Sequence, residues 1–329
     1  MTGSDGRPPQ PGAGRSMARW AALAVSLLLS FWVLWHGRRD LAQLESLAPA
    51  PVAALIGLQL LLLAAQSERL RVILGAHSRR VVPPLEWGRM FVVGRLLNAA
   101  VMQSGNAYRL MTLKRTYGVG YSRYVSSLAA QTWVSVLFSL LVASVLVFTV
   151  ESNRSFPANL GASLVLATLA IAVAPYVARM LGRRYLPGRP GRIWTALEGV
   201  FSRVVETVRD PSLSLVLLAL TILAFAVGVT VIVQAFSMAG VRMPLAAAAT
   251  ILALMQITNV VMLTPGNLGI QELGYAGLMS LFGFPAASGI VASALVRISA
   301  AAALAMGSLV LTLLVRHTSA QEPDRSREA

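Results

Sequence analysis

Apolar windows recur along this chain at 20–36, 51–66, 124–150, 159–181, 212–239 and 286–315, with little or no charge inside them. About 20 mostly apolar residues cross the hydrocarbon core of a bilayer as a helix, and a water-soluble domain does not present such windows repeatedly. Only 12% of the residues are charged and 56% are hydrophobic, whereas roughly a quarter are charged in soluble domains. The expected class is an all-α polytopic membrane protein. Its helices would pack through small residues rather than around a water-driven core, which suits a chain with 26 Gly and many Ala.

The net charge of +15 does not point to nucleic acid, because the arginines fall in the loops between apolar windows. Residues 67–84 hold Arg69, Arg71, Arg79 and Arg80 against Glu68. Residues 179–211 hold Arg179, Arg183, Arg184, Arg189, Arg192, Arg203 and Arg209 against Glu198, Glu206 and Asp210. Basic loops stay in the cytoplasm, so both segments belong there, as does Arg316, with anionic lipid as counter-charge. Within the second loop, 192–210 has helical apolar spacing and reads as an amphipathic helix on the membrane surface; a linker packed on the bundle is the alternative. Trp20, Trp32, Trp35 and Trp87 read as interfacial anchors. Residues 1–16 and 318–329 are polar tails expected to be disordered, leaving 17–317 as one membrane domain. The first apolar window is followed by "HGRRD" rather than a small-residue cleavage site, so it reads as an uncleaved helix. There are no cysteines and three scattered histidines, so no metal site or cofactor is expected.

Two stretches break the pattern of simple spans. Residues 85–118 and 244–283 each read as an apolar helix, a break at Gly-Asn, and a shorter helix. Their breaks align, "NAAVMQSGN" (98–106) with "NVVMLTPGN" (259–267), with the same spacing from Asn98 to Gly105 and from Asn259 to Gly266. An internal repeat is expected. If both are re-entrant hairpins, every basic loop lands in the cytoplasm, both termini are cytoplasmic, and the hairpins enter from opposite faces. That gives about six full transmembrane helices plus two opposed hairpins. Asn106 and Asn267 are expected N-caps, for helices starting at Ala107 and Leu268, with Gly118 ending the former. Each short helix would then aim free N–H groups and its positive dipole end into the protein. A surface turn at Pro265-Gly266-Asn267 is the alternative.

Charges inside apolar sequence carry the chemistry. Arg95 and Arg109 lie in the first hairpin, Glu272 in the second and Arg297 within the last window. Each would cost about 2.5–3.5 kcal/mol at mid-bilayer, so they must face one another or a hydrated cavity, and Glu272 with Arg297 is the expected pair. Arg95, Asn98, Asn106, Arg109, Asn259, Pro265, Gly266, Asn267, Gly269, Glu272 and Arg297 form the candidate substrate-binding set. Gln103, Gln256 and Gln271 add neutral polar groups in the same hairpins. A purely structural ion pair is the alternative for Glu272 and Arg297. Glu86 and Arg89, three apart, read as a local surface pair.

"TPGNLGIQELGYAGLMSLFG", "ASALVRI" and "SGNAYRLMTLKRTYG" together resemble the membrane region of lysylphosphatidylglycerol synthetases, a flippase-like family, over roughly 17–316. The resemblance rests on Pro265, Gly266, Gly269 and Glu272, and on Gly105 with Arg109; Ser104 stands where the family often has Pro. In full-length members a soluble aminoacyl-transferring domain follows. The sequence ends at 329, so the resemblance implies lipid transport without lipid synthesis and without enzyme activity.

The leading expectation is a flippase-like transporter in the bacterial cytoplasmic (inner) membrane, moving a phospholipid or lipid-linked headgroup through a positively charged groove. Arg95, Arg109 and Arg297 would meet phosphate, and Glu272 would orient an arginine or carry a proton. The chain has no nucleotide-binding loop. A lipid-linked glycosyltransferase lacks support, since no paired carboxylates appear. A non-transporting subunit of a partner enzyme is the alternative, and it predicts that neutral replacements of Glu272 and Arg297 are silent.

Overall fold

The computed structural model describes residues 48–76, 82–100, 103–149, 159–185, 210–260, 267 and 269–325. Among them every regular element is a helix: α1 (Pro49–Ala76), α2 (Pro84–Ala100), α3 (Ser104–Tyr117), α4 (Tyr121–Thr149), α5 (Leu160–Tyr185), α6 (Pro211–Met238), α7 (Leu245–Val260), α8 (Ile270–Leu281) and α9 (Ala286–Arg325). Four have stretches long and apolar enough to cross a membrane: Pro49–Ala76, Tyr121–Phe148, Pro211–Met238 and Ala286–Val315. The apolar stretches Leu160–Ala174 and Leu245–Ile257 are shorter. The expected first window 20–36, the N-terminal tail 1–16 and residues 192–209 of the amphipathic segment lie outside the described residues, as do Trp20, Trp32 and Trp35.

Both stretches are interrupted, the second between Val260 and Ile270, but the first break comes earlier than Gly105-Asn106, between Ala100 and Ser104. α2 packs against α3, and α7 against α8, so each interrupted stretch is a pair of helices in contact. α1 lies along α6 through Leu55, Val227, Val231 and Met238. α7 is nearly all small residues on its buried side: Ala246, Ala247, Ala248, Ala249 and Ala253 are almost fully enclosed. Short side chains let backbones approach when no hydrophobic drive separates lipid from protein, and α7 contacts α4, α6 and α8. α9 contacts α1, α2, α6 and α8 and so ties the two interrupted stretches to the long helices. Large apolar residues such as Leu166, Leu169, Leu215, Leu218, Leu309 and Leu313 face outward, as a bilayer-facing surface requires.

Three features depart from the sequence reading. α1 does not stop at the first charge but continues through 67–76, because Leu70, Ile73 and Leu74 keep the helical apolar spacing and are buried. Arg69, expected in a cytoplasmic loop, is consequently buried on that helix. Trp87 is not an interfacial anchor; it is 1% exposed and its Nε1 donates to the Ser67 carbonyl at 2.8 Å, joining α2 to α1. α9 runs on to Arg325, through most of the expected disordered tail. Propagating an existing helix adds one bond per residue fixed, and Ala320, Gln321 and Glu322 are good helix formers.

At the start of α6, Asp210 is an N-cap with Pro211 at the first helical position. Its Oδ1 accepts from the Ser212 side chain at 2.7 Å, the Ser212 N–H at 3.0 Å and the Leu213 N–H at 3.3 Å. These bonds, the Ser212 hydroxyl foremost, hold its carboxyl below the ordinary range.

Candidate functional site

The first interrupted stretch turns on two glycines. A Cβ on Gly105 would lie 1.6 Å from the Gly94 carbonyl oxygen, so α2 and α3 meet backbone to backbone. Asn98 Oδ1 accepts the Gly105 N–H at 2.8 Å, and Ser104 Oγ donates to the Leu97 carbonyl at 2.8 Å. The seven-residue spacing from Asn98 to Gly105 is thus a side-chain clasp across the turn. α3 begins at Ser104, with Gln103 in the left-handed region at φ 64°, and Gly118 at φ 65° follows its last residue as expected. Asn106 is therefore not the N-cap but sits inside the first turn, its Nδ2 donating to Gln103 Oε1 at 2.6 Å.

Arg109 lies over Gly94, where any side chain would collide with its guanidinium and stem. It is 3% exposed; Nη2 donates to Asn106 Oδ1 at 2.7 Å and Nε to the Gly105 carbonyl at 3.3 Å. Arg95 is accessible, and its Nη2 donates to Gln66 Oε1 of α1 at 2.5 Å. The two guanidinium groups share one aromatic ring: Arg95 and Arg109 lie 5.5 and 5.1 Å from the centroid of Phe91. The partners named here are neutral. Tyr124 of α4 closes the group, its hydroxyl 3.5 Å from Asn106 Oδ1.

The second stretch is organised around a carboxylate. α8 begins at Ile270 with Gly269 as N-cap at φ 79°, and Asn267 lies just before it at φ 52°. Asn267 is thus not the cap, since the left-handed glycine two residues on takes that position. Glu272 Oε2 accepts the Gly269 N–H at 2.7 Å while Oε1 pairs with Arg297 Nη2 of α9 at 2.9 Å. The same Nη2 reaches Gln271 Oε1 at 3.2 Å and the Asn267 carbonyl at 3.4 Å. The expected ion pair forms. The helix start is not a row of free N–H groups, however, because Glu272 and Asn98 each occupy one at their turns.

The structure therefore assembles the candidate residues as two groups, one from each stretch. Arg95, Asn98, Asn106 and Arg109 surround the α2–α3 turn; Asn267, Gly269, Glu272 and Arg297 surround the start of α8. Pro265 and Gly266 lie outside the described residues, and so does the side chain of Asn259 in the last turn of α7. Gln256 serves packing, its Nε2 donating to Ser139 Oγ of α4 at 2.9 Å. Glu86 accepts from the Tyr117 hydroxyl at the open end of the first stretch. Gln66, Arg69, Phe91 and Tyr124 were missed as partners. For Arg69 a signal existed: it stands four residues from Ala65 and from Ile73, on the buried side of a helix whose period continues past its charges.

A family model described as the lysylphosphatidylglycerol synthase TM region matches residues 19–314. No match was found among curated proteins, and none among solved structures. The matched span takes in both interrupted stretches and every residue of the two polar groups, and on it the chain belongs to the lysylphosphatidylglycerol synthase TM-region family.

Proposed function

We propose that this protein is a flippase-like transporter that moves a phospholipid or lipid-linked headgroup across the bacterial cytoplasmic membrane. The two interrupted stretches act as re-entrant hairpins entering from opposite faces, among about six full spans, with both termini cytoplasmic. Membership in a membrane-embedded, lipid-related family supports this reading. The observation that carries it is the placement of Arg95 and Arg109 at one turn, with Arg109 buried, and of Glu272–Arg297 at the other, with Arg297 inside an apolar span. Charge within a bilayer is expensive and marks polar pathways in membrane proteins. The headgroup passes along these polar turns while its acyl chains stay in lipid. The protein catalyses no covalent step, takes no cofactor, and has the lipid as its principal partner.

The test is movement of fluorescent phospholipids across the bilayer of proteoliposomes, wild type against Glu272→Gln and Arg297→Gln. Wild type is expected to equilibrate the probe, and both variants to slow it while remaining folded. One observation favours a second reading: both oxygens of Glu272 are engaged in holding α8 to α9, as in a subunit that only supports a partner enzyme. Absence of movement across anionic, zwitterionic and glycosylated probes would leave that second reading standing.

A further inference from the structure

A third arginine belongs with Arg95 and Arg109. Arg69 of α1 is 7% exposed and stands three residues, about one helical turn, after Gln66, whose Oε1 accepts from Arg95, while Arg95 and Arg109 both lie against the Phe91 ring. Its Nη1 reaches Thr221 Oγ1 of α6 only at 3.5 Å, and its buried Nε has no partner among the described residues. The adjacent carboxylate does not serve it. Glu68 turns to Arg71, taking Nε at 2.7 Å and Nη2 at 2.5 Å in a two-pronged pair. Glu86, the acidic residue of α2, is engaged by Tyr117. Among the described residues, the partners of Arg69, Arg95 and Arg109 are amide, carbonyl and hydroxyl oxygens and one aromatic ring.

Three like charges held together by neutral oxygens repel one another, and hydrogen bonds of that kind do not cancel the repulsion. A guanidinium is not relieved by losing its proton, since arginine stays charged in proteins. An anion bound between them would offset that repulsion. Planar guanidinium forks match the oxygens of a phosphate group, and three of them from three helices can surround one. Arg69 and Arg109 are buried, while Arg95 is accessible.

We propose that Arg69, Arg95 and Arg109 form a phosphate-binding site in which Arg69 is the buried third arm. The site deepens the transporter reading and rests on it only for the source of the phosphate, a lipid headgroup rather than a free ion. It is separate in its residues from the Glu272–Arg297 pair.

Binding is measured on the purified full chain in neutral detergent at constant ionic strength, with dihexanoylphosphatidylglycerol in one arm and inorganic phosphate in the other. Wild type is expected to bind the short-chain lipid saturably. Arg69→Gln and Arg95→Gln are each expected to weaken it about 10- to 100-fold, the loss of one hydrogen bond between charged groups. Lys114→Gln removes the same charge from the exposed side of α3 and is expected to bind as wild type. Lipid binding without phosphate binding assigns the site to headgroups; binding of both, with the same arginine dependence, assigns it to the phosphate group from either source. The site is refuted if wild type binds neither probe, if the arginine variants bind like wild type, or if Lys114→Gln weakens binding equally. Should Arg69→Gln fail to fold, the accessible Arg95 decides by the same criterion. Because no lipid has to cross a bilayer, a wild type that binds but moves nothing keeps the site and removes the transporter.

Discussion

Glu272 places one oxygen on the N–H that starts α8 and the other on Arg297 of the next helix. Breaking a buried pair costs about 3–5 kcal/mol; with side chains 13% and 28% exposed, the expected cost lies toward the lower end. Glu272→Ala removes both contacts, whereas Glu272→Gln keeps an acceptor for the Gly269 N–H. Thermal melts in detergent should therefore rank wild type above Gln and Gln above Ala, and equal melting of the two variants would show that the cap contributes nothing. A double-mutant cycle with Arg297→Gln should return a coupling of about 0.5–3 kcal/mol, as for residues in direct contact. Asp210 at the start of α6 gives a pH signature. Its folded carboxyl is held low, so the cap's stabilisation is complete above the ordinary carboxylate range and is lost as pH falls through the lowered value. Asp210→Asn, which caps without titrating, should flatten the acid fall in melting temperature; an unchanged acid limb would exclude Asp210 as its source.

The interrupted helices depend on glycines at two backbone crossings, Gly105 on Gly94 and Gly289 on the Tyr275–Ala276 peptide. Gly105→Ala would drive a methyl group into a carbonyl oxygen, and the expected cost exceeds the ~1–3 kcal/mol of ordinary overpacking. Gly57 in α1 has nothing within 4 Å of its virtual Cβ, so Gly57→Ala should be neutral or stabilise by up to about 1 kcal/mol. Opposite shifts in melting temperature check the pair; a silent Gly105→Ala would mean the crossing opens without cost. These helices were legible because hydropathy and a nearby Gly-Asn pair mark that a span is interrupted, although in the first stretch Gly105 and Asn106 lie inside the helix that starts at Ser104. The Asn98–Gly105 clasp was legible only as a spacing, since sequence does not say what an Asn side chain touches. The caps were misplaced because Asn is a good cap in general, while the left-handed turns put Gln103 and Gly269 there instead. Arg69 was hidden for another reason: hydropathy ends a span at its first charge, but helical packing continues.

At the scale of the whole molecule, the proposed arrangement of hairpins and spans makes a prediction about sidedness. The chain has no cysteines, so single cysteines can be introduced without background. Pro83→Cys and Gly120→Cys flank the first hairpin, Arg242→Cys and Pro285→Cys the second. A membrane-impermeant thiol reagent should label the latter two in intact cells and the first two only after permeabilisation. Opposite labelling within either pair would mean that the stretch crosses the membrane instead of turning back. The clasp across the α2–α3 turn has a mechanical consequence. With its tip locked by the Gly94–Gly105 crossing, by Asn98, and by Arg109 laid over Gly94, the hairpin cannot open like a pair of tweezers. If the protein moves a headgroup as proposed, these contacts predict that the pair moves as one wedge, pivoting at its base in the short Gly118–Gly120 connection to α4, while its tip keeps its shape.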